Sequence, residues 1–247
     1  MEHRTIETAP QVYARVGGCL YLVIIVAGGF AEGFVRNRLV IFGDADATAR
    51  NIAASPALWH LSIAAELLTV FLALALALVE YGLLKPVNRY IASLALGTNL
   101  VSITLEAVNK ILLLVASSIL ASGSSFDAFR PEQRDALAYL VLKAHGVGFH
   151  VSLLVFGVVC LLLGYLLFKS GYFPKVLGIL LQIAGAGYLT ASISALFFPS
   201  FEDLLFPYIL IPPFIGELSL CLWLLVKGVD LPKWRQRIDA ASSATST

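Results

Sequence analysis

Glu106 and Lys110 stand four residues apart in a run built mainly of Leu, Ile, Val and Ala. A carboxylate and an ammonium at that spacing share one face of a helix and can pair. Asn99, Ser102 and Asn109 fall on the same stripe. The run from Ile91 to Leu120 is long enough to cross a bilayer. A charge at mid-bilayer costs roughly 2.5–3.5 kcal/mol even on the lenient insertion scale, so such groups face protein or a wet cleft rather than lipid. The stripe therefore requires partners from elsewhere in the chain. Glu32, Glu66, His150 and Glu217 are the candidates, each set in its own apolar run. Three carboxylates near one Lys and one His cannot all be ionised cheaply. The set Glu32, Glu66, Glu106, Asn109, Lys110, His150 and Glu217 suits a proton, a cation or a small polar ligand.

The elements that must carry these groups follow from composition. The chain has 247 residues, 59% of them hydrophobic and 13% charged. Soluble domains carry about 25% charged residues. The deficit extends along the whole chain, which predicts an all-α polytopic membrane helical bundle whose first partner is the lipid bilayer. A net charge of +1 with no basic stripe argues against nucleic acid. Cys19, Cys160 and Cys221 lie in apolar runs without CxxC spacing and read as small buried hydrophobes.

Six transmembrane helices are expected, over Val16–Val35, Ala57–Tyr81, Ile91–Leu120, His150–Phe168, Val176–Phe198 and about Leu204–Lys227. This gives a polar segment over 1–14, a transmembrane domain over 15–229 and a polar tail over 230–247 that ends in disorder. The fourth helix should begin near Glu132, with Lys143 and His145 beyond the hydrocarbon or lining a cleft. Gly171 and Pro174 mark a stop and restart. Gly178, Gln182, Gly185 and Ser192 read as a close-packing face. Asp44 or Asp46 reads as the cap of a short interfacial helix rather than a metal–phosphate string. Pro212 and Pro213 should break the sixth helix near Glu217 and free the carbonyls of Tyr208 and Ile209.

Six spans place Arg4, Arg15, Lys85, Arg89, Lys169, Lys175, Lys227, Lys233, Arg235 and Arg237 on one side, and Arg36, Arg38, Arg50, Arg130 and Arg134 on the other. That asymmetry predicts both termini in the cytoplasm. Measured from that side, Glu32, Glu66 and Glu106 lie at roughly 22–24 Å, and Lys110 and His150 at roughly 27–29 Å. Glu217 lies nearer, at roughly 15 Å. Arg36 and Arg38 mark the exit of the first span.

The leading expectation is a binding or transport module with an outward-facing polar cavity, where Lys110 serves as counter-ion to Glu106 and Glu66. One alternative is a membrane-embedded hydrolase with metal-bound water held by His150, Glu32, Glu66 and Glu106. No HExxH string, Ser–His pair, P-loop or nucleotide fingerprint accompanies it. The other is a non-catalytic packing or partner-binding protein. The residues name no cofactor, metal, substrate or oligomeric state.

Longer strings carry a family resemblance. They are Gly164-Tyr165-Leu166, Ser170, Pro174, Leu177-Gly178, Ala184-Gly185 and Gly187-Tyr188-Leu189, then Glu217-Leu218-Ser219, Trp223-Leu224-Leu225 and Lys227-Gly228. Ala31-Glu32-Gly33, Asp44 and Asn51-Ile52 complete the set. Together the chain resembles the bacterial integral-membrane proteins of domain-of-unknown-function family four-three-eight-six. The resemblance implies a multi-pass protein of the bacterial inner (plasma) membrane and brings no catalytic residue with it.

Overall fold

The computed structural model describes residues 9–121, 126, 128–198 and 208–244. Those residues form eight helices and no strand. They are α1 (Pro10–Leu39), α2 (Ala45–Ala54), α3 (Pro56–Leu84), α4 (Arg89–Leu120), α5 (Pro131–Ser170), α6 (Lys175–Phe197), α7 (Tyr208–Val226) and α8 (Leu231–Ala244). All but α2 and α8 are long and apolar enough to cross a membrane. The protein is thus a polytopic helical bundle. Each spanning helix packs on the next in a closed ring, α1–α3–α4–α5–α6–α7 and back to α1. Val159, Cys160, Leu166, Leu181, Cys221 and Leu224 fill its interior. Large apolar side chains such as Phe71, Val101 and Phe214 stay exposed on the outside, where lipid belongs.

The tightest seam joins α5 to α6. A Cβ at Gly178 would sit 2.5 Å from the Gly164 carbonyl oxygen, and one at Gly185 would sit 2.7 Å from that of Gly157. Only glycine allows backbones this close, so the small-residue face does pack. The turn between these helices is set by Gly171, whose φ of 80° lies in the left-handed region.

The start of α1 and the segment between α7 and α8 meet on one face, called here the terminal face. The Gln11 amide donates to the Lys227 carbonyl at 2.7 Å and accepts from the Val229 N–H at 2.9 Å. Residues 230–247 were expected to be a polar tail ending in disorder. Instead the chain forms α8 as far as Ala244. Trp234 is the reason: its ring is buried edge-on against Tyr172, with centroids 5.0 Å apart. The Arg237 guanidinium donates to the carbonyls of Pro86 and Val87. The Tyr172 hydroxyl donates to the Leu83 carbonyl at 2.6 Å, and burial pushes this phenol above its ordinary range. Asp230 opens α8: its carboxylate pairs with the Lys233 ammonium at 3.0 Å and accepts from the Lys233 N–H, and these two bonds hold it below the usual range.

On the opposite, loop face, α2 lies against α5. Asp44 caps it, accepting from the Ala47 N–H at 2.8 Å. The expected polar segment over 1–14 is helical from Pro10 onward; residues 1–8 lie outside the described residues. The proposed start of the sixth span at Leu204 also lies outside them. Pro212 and Pro213 do not break α7. They occupy the first turn of its α-helical part, which begins at Ile211, and Tyr208–Leu210 form a 3-10 turn before it. No α-helical bond is lost there, because the first helical N–H groups have no partner in any case.

Candidate functional site

Three helices bring the charged residues nearer the loop face together. Glu66 lies ten residues from the loop-face end of α3, and Lys110 ten from the loop-face end of α4. At 1.5 Å per residue both stand about 15 Å below that face. Lys110 Nζ lies 2.8 Å from Glu66 Oε2 and also bonds Glu106. The two buried side chains are 2% and 4% exposed, whereas Glu106 is 23% exposed. The pairing predicted for Glu106 and Lys110 is therefore present, with Glu66 as a second carboxylate.

The first helix contributes more than the sequence suggested. Gly29–Arg36 is a π-helical stretch within α1. Such wide turns occur frequently at functional sites. Here the stretch carries both Glu32 and Arg36, so Arg36 folds back into the bundle instead of marking the exit. Its Nε lies 2.9 Å from Glu32 Oε2, and its terminal nitrogen binds Glu66. Arg36 also donates to the His145 ring, with its nitrogens at 3.2 and 3.4 Å. A guanidinium only donates, and an imidazolium would offer it no acceptor, so His145 is held neutral. Arg36 is the residue that sequence reasoning missed. Its spacing of four from Glu32, beside Gly28, Gly29 and Gly33, was the available signal.

His145 belongs to this layer through Arg36. It is 2% exposed and does not project beyond the bundle. His145 and His150 lie five residues apart and so point to different faces of α5. His150 sits edge-on to Phe149, with centroids 5.8 Å apart. Asn109 stays outside the ionic set; its amide donates to the His145 carbonyl at 3.0 Å and fastens α4 to α5. Below it, Ser102 and Ser152 exchange hydrogen bonds across the same seam.

The layer thus holds Glu32, Glu66 and Glu106 against Arg36 and Lys110, with neutral His145. Three carboxylate oxygens, Glu32 Oε1, Glu66 Oε2 and Glu106 Oε2, are buried and accept no hydrogen bond, and of these Glu66 Oε2 faces the Lys110 ammonium at 2.8 Å. Ligand atoms of Glu32, Glu66 and His145 lie within 4.8 Å of one another, a spacing that suits a metal ion. Arg36 contacts all three, however, so an ion there would have to displace the guanidinium.

Glu217 does not join this layer. It lies nine residues from the terminal-face end of α7, where the Tyr188 hydroxyl donates to it and Tyr21 lies beside it. The two cavities described in the bundle open beside Glu80, not beside Glu106. Sequence reasoning passed over Glu80 because it sits close to the end of its span.

Among known proteins, an uncharacterised protein of Archaeoglobus fulgidus is 40% identical over 76 residues, covering 31% of this chain. That stretch is 43% of the relative, so the chain spans less than half of its length. No solved structure matches. The profile of one family fits residues 16–228, from the first helix to the end of the seventh. By that match the chain belongs to the family described as Domain of unknown function (DUF4386).

Proposed function

We propose that this membrane protein binds and carries a proton or a monovalent cation at the Glu32–Glu66–Glu106 layer. The observation that carries the reading is the charge count. Three carboxylates face two fixed cations, Arg36 and Lys110, and the nearby imidazole is neutral. One negative charge is left over in a low-dielectric interior, where an unpaired charge is costly. One proton or one monovalent cation cancels it. The open positions, Glu32 Oε1 and Glu106 Oε2, are acceptors, so the ligand is a donor or a cation rather than an anion. Glu32 and Glu106 are also the more accessible acids, at 34% and 23%, which makes them the entrance.

The proposed orientation puts the terminal face in the cytoplasm of a bacterial inner membrane. Arg36 is committed to buried carboxylates, so it leaves the count of free cations on the loop face. The asymmetry between the two faces grows accordingly. The layer would then take its ligand from outside. A metal-dependent hydrolase suits the site less well, because the guanidinium fills the space between its Glu32, Glu66 and His145 ligands.

Proteoliposomes with a trapped pH-sensitive dye, driven by a potassium diffusion potential, test the reading. Proton entry, or sodium entry followed by a sodium dye, should be lost in Glu66→Gln and Lys110→Met. It should persist in Arg50→Ala, whose exposed side chain pairs with Asp46 on α2. Fluxes equal to those of protein-free vesicles for both ions would refute it.

A further inference from the structure

Glu80 takes no part in the arrangements above. It lies 14 residues along α3 from Glu66, about 21 Å closer to the terminal face. It is 9% exposed, and among the described residues no hydrogen bond or ion pair reaches its carboxylate. The titratable groups around it include Tyr21 on α1, Tyr81 on α3, which lines the same cavity, Cys160 on α5 and Glu217 on α7. None of them can carry positive charge. From α4 comes the neutral amide of Asn99, itself 7% exposed.

Glu80 lines two small cavities, and only the first has polar surface. One, of about 10 Å³, is shared by Glu80 and Asn99 and walled by Ala92, Ala95 and Leu163. The other, of about 20 Å³, is lined by Glu80, Leu83, Phe173, Leu220 and Leu224. A volume of about 10–15 Å³ on this measure holds one water, provided polar partners line it. Glu80, Asn99 and Tyr81 are the residues with polar side chains that line the first cavity. The second runs toward the terminal face, since Phe173 belongs to the turn between α5 and α6 and Leu83 lies next to the end of α3.

We propose that Glu80 is a proton-binding site in its own right, whose carboxyl exchanges its proton with water held between it and Asn99. A buried carboxylate with no cation and no donor is too costly to remain charged, so it keeps a proton. A water in the first cavity accepts that proton's hydrogen bond and is oriented by the Asn99 amide. Proton exchange is a transfer between carboxyl oxygen and water oxygen and needs no other reactant. Asn99, Ser102 and Glu106, spaced three and four residues apart, continue the polar file along α4 to the ion-pair layer. The Glu80 site does not depend on the function proposed for that layer.

Infrared difference spectroscopy of the full chain in lipid vesicles, titrated with pH and exchanged into deuterium oxide, tests this. At neutral pH the parent protein should show a protonated-carboxyl band that shifts in deuterium oxide. Glu80→Gln should lose the intensity of one carboxyl, and Glu80→Asp should keep it at a displaced frequency. Should Glu80→Gln not fold, Glu80→Asp alone decides, because an undisplaced band in that variant overturns the assignment. Asn99→Leu should keep the band and abolish its deuterium shift. An unchanged band in Glu80→Gln, or an unchanged deuterium shift in Asn99→Leu, overturns the proposal. Loss of a band in Glu106→Gln but not in Glu80→Gln would refute this site while leaving the outer layer standing. The reverse pattern would support Glu80 and count against the layer.

Discussion

Removing Lys110 should be far more damaging than removing one of the acids it binds. Lys110 is 2% exposed and contacts Glu66 and Glu106. In Lys110→Met the layer goes from one surplus negative charge to two, with Arg36 as its remaining cation. Breaking a buried ion pair from one side costs about 3–5 kcal/mol. Glu66 keeps Arg36, which puts the expected loss near the lower end, about 3 kcal/mol. Glu106→Gln does the opposite: it removes the surplus charge, and the new amide oxygen can still accept from Lys110. With Glu106 23% exposed, the change should stay within about 1 kcal/mol of zero, in either direction. The double variant should recover part of the Lys110→Met loss, with a coupling of about 0.5–3 kcal/mol. Unfolding by sodium dodecyl sulfate in lipid–detergent micelles, followed by circular dichroism, measures all three. Equal losses in the two single variants would refute the surplus-charge reasoning, since that result would mean each group matters only as a contact.

Other outcomes follow from the same geometry. Arg36→Ala should open the space between Glu32, Glu66 and His145 and give a protein that retains about one zinc ion after dialysis. Elemental analysis of the variant against the parent reads this, and Glu66→Gln added to Arg36→Ala should abolish the retention. Gly178→Ala places a methyl 2.5 Å from the Gly164 carbonyl oxygen and 2.6 Å from the Phe168 nitrogen, so the α5–α6 seam must open. The expected cost is about 1–3 kcal/mol in the same unfolding assay. At the terminal face, Asp230 has a folded-state value below its unfolded one. Its support for the start of α8 is therefore complete above the ordinary aspartate value of about 3.9 and is lost as pH falls through the folded value. Amide exchange at Lys233 should accelerate in that acid window in the parent protein and not in Asp230→Asn.

Much of this architecture was legible in residue order. Apolar run lengths fixed six spans, and a rise of 1.5 Å per residue turned position into depth. Glu32, Glu66, Glu106 and Lys110 could therefore be assigned to one level, which is where they meet. Asp44 as a cap and Gly171 as a stop were equally readable, because each depends on local backbone chemistry.

What residue order left open was rotation about each helix axis. In a span apolar on several sides, periodicity does not say which face turns inward, so His145 was left beyond the hydrocarbon or lining a cleft. The π-helical stretch of α1 brought Arg36 into the bundle, and no α-helical periodicity anticipates that turn. Trp234 drew a polar tail into a helix because Tyr172 offered it a buried surface. Depth along a span is a property of the chain itself, whereas the direction a side chain faces is settled by its neighbours. That is why the level of the charged layer was written in the sequence, and the membership of Arg36 and His145 and the isolation of Glu80 were decided by packing.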